Sequence, residues 1–129
     1  MSIFAIKRIT EIDGSIPFYK MIINGICQYD EFESAIKREG NYTTELIKIQ
    51  TRMQELSEGK LLPINKFKPL LHNSNWFNEY EIKTKNLRVY LIHEPGTGRI
   101  IICGGKKRNQ GKDIRHFRNI LKSYIHRKI

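Results

Sequence analysis

A chain of 129 residues with 40% hydrophobic content holds one hydrophobic core and is too short for two full-sized ones, so a single domain over residues 1–129 is expected. It carries 23 Lys and Arg against 13 Asp and Glu, a net charge of +10, which argues against an acidic or neutral binding module and for a polyanionic partner. The first residues, MSIFAIKRITEI, are too charged for a signal peptide, and no apolar run reaches the length of a membrane span, so a cytoplasmic protein without a membrane partner is expected.

The two cysteines, Cys27 and Cys103, sit beside Ile26 and Ile102, where reduced thiols pack as small hydrophobes. His72, His93, His116 and His126 have no Cys or His at ligand spacing, so no metal is expected.

In chain order, residues 2–9 and 15–23 are rich in Ile and aromatics and flank Asp13-Gly14, a pattern that predicts a β-hairpin. Pro17 delays the start of the second strand or places it at an edge. Asp30 followed by Glu33 resembles a capping box for a first helix with Phe32, Ala35 and Ile36 on one face and Gly40 as its stop. Thr43 or Thr44 caps a second helix in which Leu46, Ile49, Met53 and Leu56 recur at spacings of three and four until Gly59. Pro63, Pro69 and the Asn-Ser-Asn at 73–75 mark residues 61–78 as a loop, with Trp76 and Phe77 read as core or rim rather than base-stacking groups. Three strands follow: EYEIKT, LRVYLIH after Lys85-Asn86, and RIIIC after the Glu-Pro-Gly-Thr-Gly turn, the last ended by Gly104-Gly105. A polar loop over 106–111 leads to an amphipathic helix with Ile114, Phe117, Leu121, Tyr124 and Ile125 on its apolar face.

The charge is concentrated at this end. Residues 99–129 hold ten Lys and Arg against one acid, Asp113, while the rest of the chain is nearly neutral. Lys106, Lys112 and the helical stripe Arg115, Arg118 and Lys122 are therefore expected to bind nucleic acid. In the strand LRVYL, Arg88 alternates with Leu87 and Val89, which puts it on the opposite face from the apolar set, with Tyr90, Lys83 and Glu81. If the two helices cover the apolar face, this other face is an open surface lined by cations; the plain alternative is a salt bridge from Arg88 to Glu81 or Glu79. Gly104-Gly105-Lys106-Lys107 lacks the spacing of a phosphate-binding P-loop, and no nucleotide cofactor is implied. Nothing in the sequence supports a catalytic triad or a two-metal centre.

The ordered set of Tyr80-Glu-Ile-Lys83, Leu87-Arg-Val-Tyr-Leu91, the Pro-Gly-Thr-Gly turn, the Ile run, Gly-Gly-Lys-Lys and a terminal amphipathic helix resembles the RelE/ParE toxin superfamily, in particular its HigB-like branch. The resemblance covers residues 15–127, with the first strand, within residues 1–14, as an addition. It implies an α+β, RelE-like fold: a small antiparallel sheet packed on an N-terminal helical hairpin, with a C-terminal amphipathic helix. It also implies a type II toxin paired with an antitoxin, acting as a metal-independent endoribonuclease on mRNA in the ribosome, with no cofactor. In that reaction the ribose 2′-hydroxyl attacks the adjacent phosphate, which calls for a base, an acid and cations. Carried over, Arg88 matches the arginine that contacts the scissile phosphate, Lys83 a strand lysine of the active face, and Lys107 or Arg108 a basic residue after the last strand. Two departures stand out: Glu81 where a second lysine is frequent, and Ile114-Arg115 where some members have tyrosine. Glu81 and His116 are left as the proton carriers. The alternatives are a non-catalytic ParE-type inhibitor of DNA gyrase and a phage-derived nucleic-acid-binding module.

Overall fold

The computed structural model describes residues 2–70 and 77–128, with side chains through His126. His72, Trp76 and the Asn-Ser-Asn run lie outside the described residues. Six strands, β1 (Phe4–Arg8), β2 (Phe18–Ile23), β3 (Phe67–Pro69), β4 (Asn78–Lys83), β5 (Leu87–Glu94) and β6 (Gly98–Lys106), form one sheet in the order β1-β2-β6-β5-β4-β3. Three helices accompany it: α1 (Gln28–Glu39), α2 (Thr43–Ser57) and α3 (Gln110–Lys128), the last preceded by a single 3-10 turn at Lys107–Asn109.

The expectation of a small antiparallel sheet on an N-terminal helical hairpin, the RelE-like arrangement, is overturned. The sheet is large and mixed, because β2 joins the β4-β5-β6 meander through a parallel pairing with β6, while every other pair is antiparallel. The sheet is also covered on both faces. One face packs Ile82, Leu87, Val89 and Leu91 against Phe32 and Ile36 of α1 and Ile49, Met53 and Leu56 of α2. The other packs Tyr90, Ile92 and Ile100 against Phe117, Ile120, Leu121 and Tyr124 of α3. A strand covered on both sides needs apolar residues in both registers, which is why β5 is buried almost throughout.

Local differences have local causes. No side chain caps α1, which begins at Gln28 after Cys27, so Asp30 and Glu33 fall inside its first turns instead of forming a capping box. Likewise α2 follows Tyr42 rather than a threonine cap. Gly40 ends α1 as expected, at φ 80°. The stretch read as a loop contains β3, which pairs Phe67, Lys68 and Pro69 with Ile82, Glu81 and Tyr80; proline is tolerated there because β3 is an edge.

Strand β6 runs through the glycine pair instead of stopping at it. A bulge at Tyr90/Leu91, where Tyr90 faces Cys103 but Leu91 faces Ile101, re-phases the strand. Ile102 and Cys103 both join the α3-side core as a result. The glycines are then required by close approach: a Cβ on Gly104 would lie 2.6 Å from the Phe32 ring, and one on Gly105 would lie 2.0 Å from the Asp113 carboxylate.

Candidate nucleic-acid interface

The sequence-derived site residues converge on one end of the sheet. Lys83 faces Arg88 across β4 and β5, and Arg88 faces Gly105 across β5 and β6. The 3-10 turn is tied to the same end, since Lys107 N donates to Asn86 O at 2.8 Å. The β4–β5 turn is the hub. Glu45 of α2, only 8% exposed, accepts from Asn86 N at 2.8 Å and Asn86 Nδ2 at 2.7 Å, and also from the Thr84 hydroxyl. Arg52 of α2 donates to the Lys83 carbonyl. Nothing in the sequence flagged Glu45, because its partners lie some forty residues away and it reads as an exposed helical acid.

Burial of the Glu45 carboxyl works to raise its pKa, but the hydrogen bonds from Thr84 and Asn86 outweigh it, and the net direction is downward. The sign follows directly. A carboxylate with a lowered folded pKa contributes stability that is fully present above the unfolded value, roughly 4.3, and that is lost as pH falls through the folded value. Glu45→Gln is therefore expected to lower stability by about 1–3 kcal/mol at neutral pH. The gap between wild type and variant should narrow as pH falls through the folded value when midpoints of urea unfolding are compared. A gap independent of pH would refute this role.

The face carrying Arg88 is not the open cationic surface expected. The N-terminal half of α3 lies across it: Phe117 packs on Tyr90 with ring centroids 5.6 Å apart, Arg118 pairs with Glu79 at 3.1 Å, and Gln110 Nε2 donates to both Glu81 oxygens at 2.9 and 3.1 Å. Glu81 is thereby 1% exposed and Arg88 5%. Arg88 makes no salt bridge to Glu81 or Glu79 among the described residues. Its Nη1 donates to the carbonyls of Thr84 at 2.6 Å and Leu87 at 2.8 Å, clamping the turn. Arg88 Nε and the Tyr90 hydroxyl are buried without a hydrogen-bond partner among the described residues.

The remaining cations divide in two. Lys106 is engaged by Glu39 at 2.7 Å and lies over the Tyr42 ring, and Arg118 turns inward to Glu79. Lys107, Arg108, Lys112, Arg115 and Lys122 are exposed and make no ion pair within 4 Å among the described residues. Positions 112, 115 and 122 fall on the solvent side of α3, opposite Phe117, Leu121 and Tyr124, so the 3-10 turn and α3 present one row of uncompensated positive charge. Lys83 is half-buried at the same end of the sheet, opposite Arg88.

His116 is exposed and its Nε2 lies 2.7 Å from Gln28 Oε1 of α1. It lines a cleft of about 550 Å³ together with Asn24, Gln28, Glu31, Phe32, Cys103, Gly104 and Asp113. Burial pushes the Asp113 carboxyl up, with Lys112 and His116 opposing. Burial pushes the Cys103 thiol to about 12, which makes it a packing group rather than a nucleophile.

Among the described residues no helix is long and apolar enough to cross a membrane, and no group of three or more His, Cys, Asp or Glu is placed to hold a metal ion. Comparison with protein-family models, with curated proteins and with solved structures finds no match to this chain.

Proposed function

We propose that the protein is the toxin of a type II toxin–antitoxin pair, and that it is an endoribonuclease cutting ribosome-bound mRNA. The observation that carries this reading is the row of five exposed cations on the 3-10 turn and α3, without an ion pair among the described residues, with Lys83 at the same end of the sheet. Such a row follows a phosphate backbone and, between rounds of activity, takes up the acidic side chains of an antitoxin. The likeness of the β4-β5-β6 segment to the RelE/ParE superfamily, HigB-like branch, supplies the reaction. A base takes the proton of a ribose 2′-hydroxyl, the 2′ oxygen bonds to phosphorus, the P–O5′ bond breaks, and an acid protonates the leaving 5′ oxygen. The products are a 2′,3′-cyclic phosphate and a 5′-hydroxyl.

In this scheme Lys83, Lys107 and Arg108 offset the charge of the five-coordinate phosphate. Arg88, which bonds the Thr84 and Leu87 carbonyls, acts as a positioning residue that fixes the turn carrying Lys83. Of the two proton carriers named from the sequence, His116 is the accessible one, since Glu81 is held by Gln110 beneath α3.

The burial of Arg88 favours one second reading, a non-catalytic ParE-type inhibitor that acts by binding DNA gyrase. Expression in a bacterial host separates the two. The nuclease reading expects growth arrest with mRNA cleaved at fixed codon positions, relieved by Lys107→Ala/Arg108→Ala and slowed by His116→Ala. Arrest with intact mRNA and DNA damage signalling would replace it with the inhibitor, and unimpaired growth would overturn both.

A further inference from the structure

The parallel pair β2 and β6 is the one place in the sheet where two neighbouring strands point the same way and their following helices leave on opposite faces. After β2, α1 joins the core on one side; after β6, α3 joins the core on the other. The β2–β6 ladder stops at Lys20↔Ile101, beyond which β2 pairs with β1 alone and β6 with β5 alone. Parallel strands that part in this way leave a crevice outside their carboxyl ends, the position where open α/β sheets seat ligands. The cleft of about 550 Å³ lies there, walled by Ile23 to Phe32 on the β2 side and by Cys103, Gly104, Asp113 and His116 on the β6 side. Its size is within the roughly 300–1,000 Å³ of small-molecule sites.

We propose that this crevice binds a single guanine base, presented by an RNA nucleotide turned out of its strand. The inference rests on the reading of the protein as one that acts on RNA, and it assigns base recognition to the crevice while the neighbouring cations of α3 hold the phosphates. Asp113 is half-buried in the crevice wall, and its carboxylate has no hydrogen-bond partner among the described residues. A carboxylate offers two adjacent acceptors and no donor. Guanine alone of the four RNA bases offers two adjacent donors, N1–H and the N2 amine, on its Watson–Crick edge. Adenine and cytosine each set an acceptor nitrogen beside their single amine, and uracil sets carbonyls on both sides of its N–H.

Of the remaining lining, Glu31 is an exposed second acceptor, and the other groups add donors and an apolar surface. Asn24 Oδ1 accepts from Ile3 N and Gln28 Oε1 lies against His116, so both side-chain amide NH2 groups are left to donate to guanine O6 or N7. Phe32 laid on Gly104 gives the base an apolar floor. Exposed Lys112 and Arg115, beside Asp113 and His116 on α3, take the attached phosphates.

The test is titration of the full ¹⁵N-labelled chain with 5′-GMP, 5′-AMP, 5′-CMP and 5′-UMP, followed by amide shifts. GMP is expected to bind about tenfold more tightly than the others, with shifts at Gln28, Cys103, Gly104 and Asp113. Asp113→Asn, which swaps one acceptor for a donor, should lose about tenfold for GMP and gain for xanthosine monophosphate, whose C2 carbonyl replaces the N2 amine. Equal binding of the four nucleotides, or shifts confined to the outer side of α3, overturns the proposal even if Asp113→Asn fails to fold. A uridine octamer titrated alongside reads the cation row by itself. Octamer binding without GMP selectivity removes the guanine site and leaves the RNA reading standing; GMP selectivity without octamer binding does the reverse.

Discussion

Phe117→Ala is expected to be the most destabilising single truncation in α3, lowering unfolding free energy by about 3–5 kcal/mol. Phe117 is fully buried, and its ring meets the fully buried Tyr90 ring at 5.6 Å. The loss has two parts, the apolar area returned to water and the cavity left over β5, which the sheet cannot collapse to fill. Against a total of about 5–15 kcal/mol for a domain of this kind, that is a large fraction. The consequence reaches the site because Phe117 lies one turn beyond Asp113 and two beyond Gln110, and its loss loosens the half of α3 that seals Glu81 and Arg88. Those groups are buried with their hydrogen bonds directed at one carboxamide and two carbonyls, so unsealing lets water reach two charged groups that the native state keeps dry. The check is guanidinium unfolding of wild type, Phe117→Ala and the exposed control Lys122→Ala. A midpoint shift for Phe117→Ala at nearly constant slope, with Lys122→Ala within about 0.5 kcal/mol of wild type, is the expected pattern. A Phe117→Ala loss below about 1 kcal/mol would mean that α3 is not the cover of this face.

That cover shows what the sequence could and could not convey. The period of α3 was legible: Phe117, Leu121 and Tyr124 form its buried side. Alternation in β5 correctly set Arg88 and Tyr90 apart from Leu87 and Val89, which belong to the other core. What alternation lacks is any statement of what lies over a face. The pairs that close α3 onto the sheet, Phe117 with Tyr90, Arg118 with Glu79 and Gln110 with Glu81, join residues about thirty or more positions apart, and none of them has a local signature. The parallel β2–β6 pairing was hidden for the same reason, and with it the crevice at its end. Strand β3 was masked by Pro63 and Pro69, which read as loop signals although an edge strand tolerates proline. The bulge at Tyr90/Leu91 was invisible because RIIICGG is apolar or small in either phase, so re-phasing leaves no mark in the hydrophobic pattern. Asp113 illustrates the cost of reading charge by count. As one acid among ten basic residues it enters the sequence reading only as a count, yet it is the group that the glycine at 105 admits against the sheet.

Removing four charges from the exposed row is expected to have the largest effect on binding while leaving the fold intact. The variant is Lys107→Ala/Arg108→Ala/Lys112→Ala/Arg115→Ala, and the probe is a single-stranded RNA oligomer. All four side chains are exposed and without an ion pair among the described residues, so their truncation breaks no buried contact and each should shift stability by no more than about 0.5 kcal/mol. Their removal also relieves mutual repulsion along the helix. Binding is a different matter, because each phosphate contact by a cation releases a condensed counterion. For single strands the slope of log K against log salt is about −0.7 per contact, so four lost contacts should flatten it by about 3 and weaken binding roughly 10²–10³-fold at 0.1 M salt. Lys7→Ala/Arg8→Ala, on β1 at the far edge of the sheet from β3, removes two exposed cations away from the row and should change the slope little. If instead the two variants flatten the slope in proportion to the charge each removes, RNA is responding to net charge alone. The row on α3 would then have no claim to be the binding surface. A slope that falls only for the quadruple variant ties affinity to position, since the same +10 protein then distinguishes charges it holds in register from charges it merely carries.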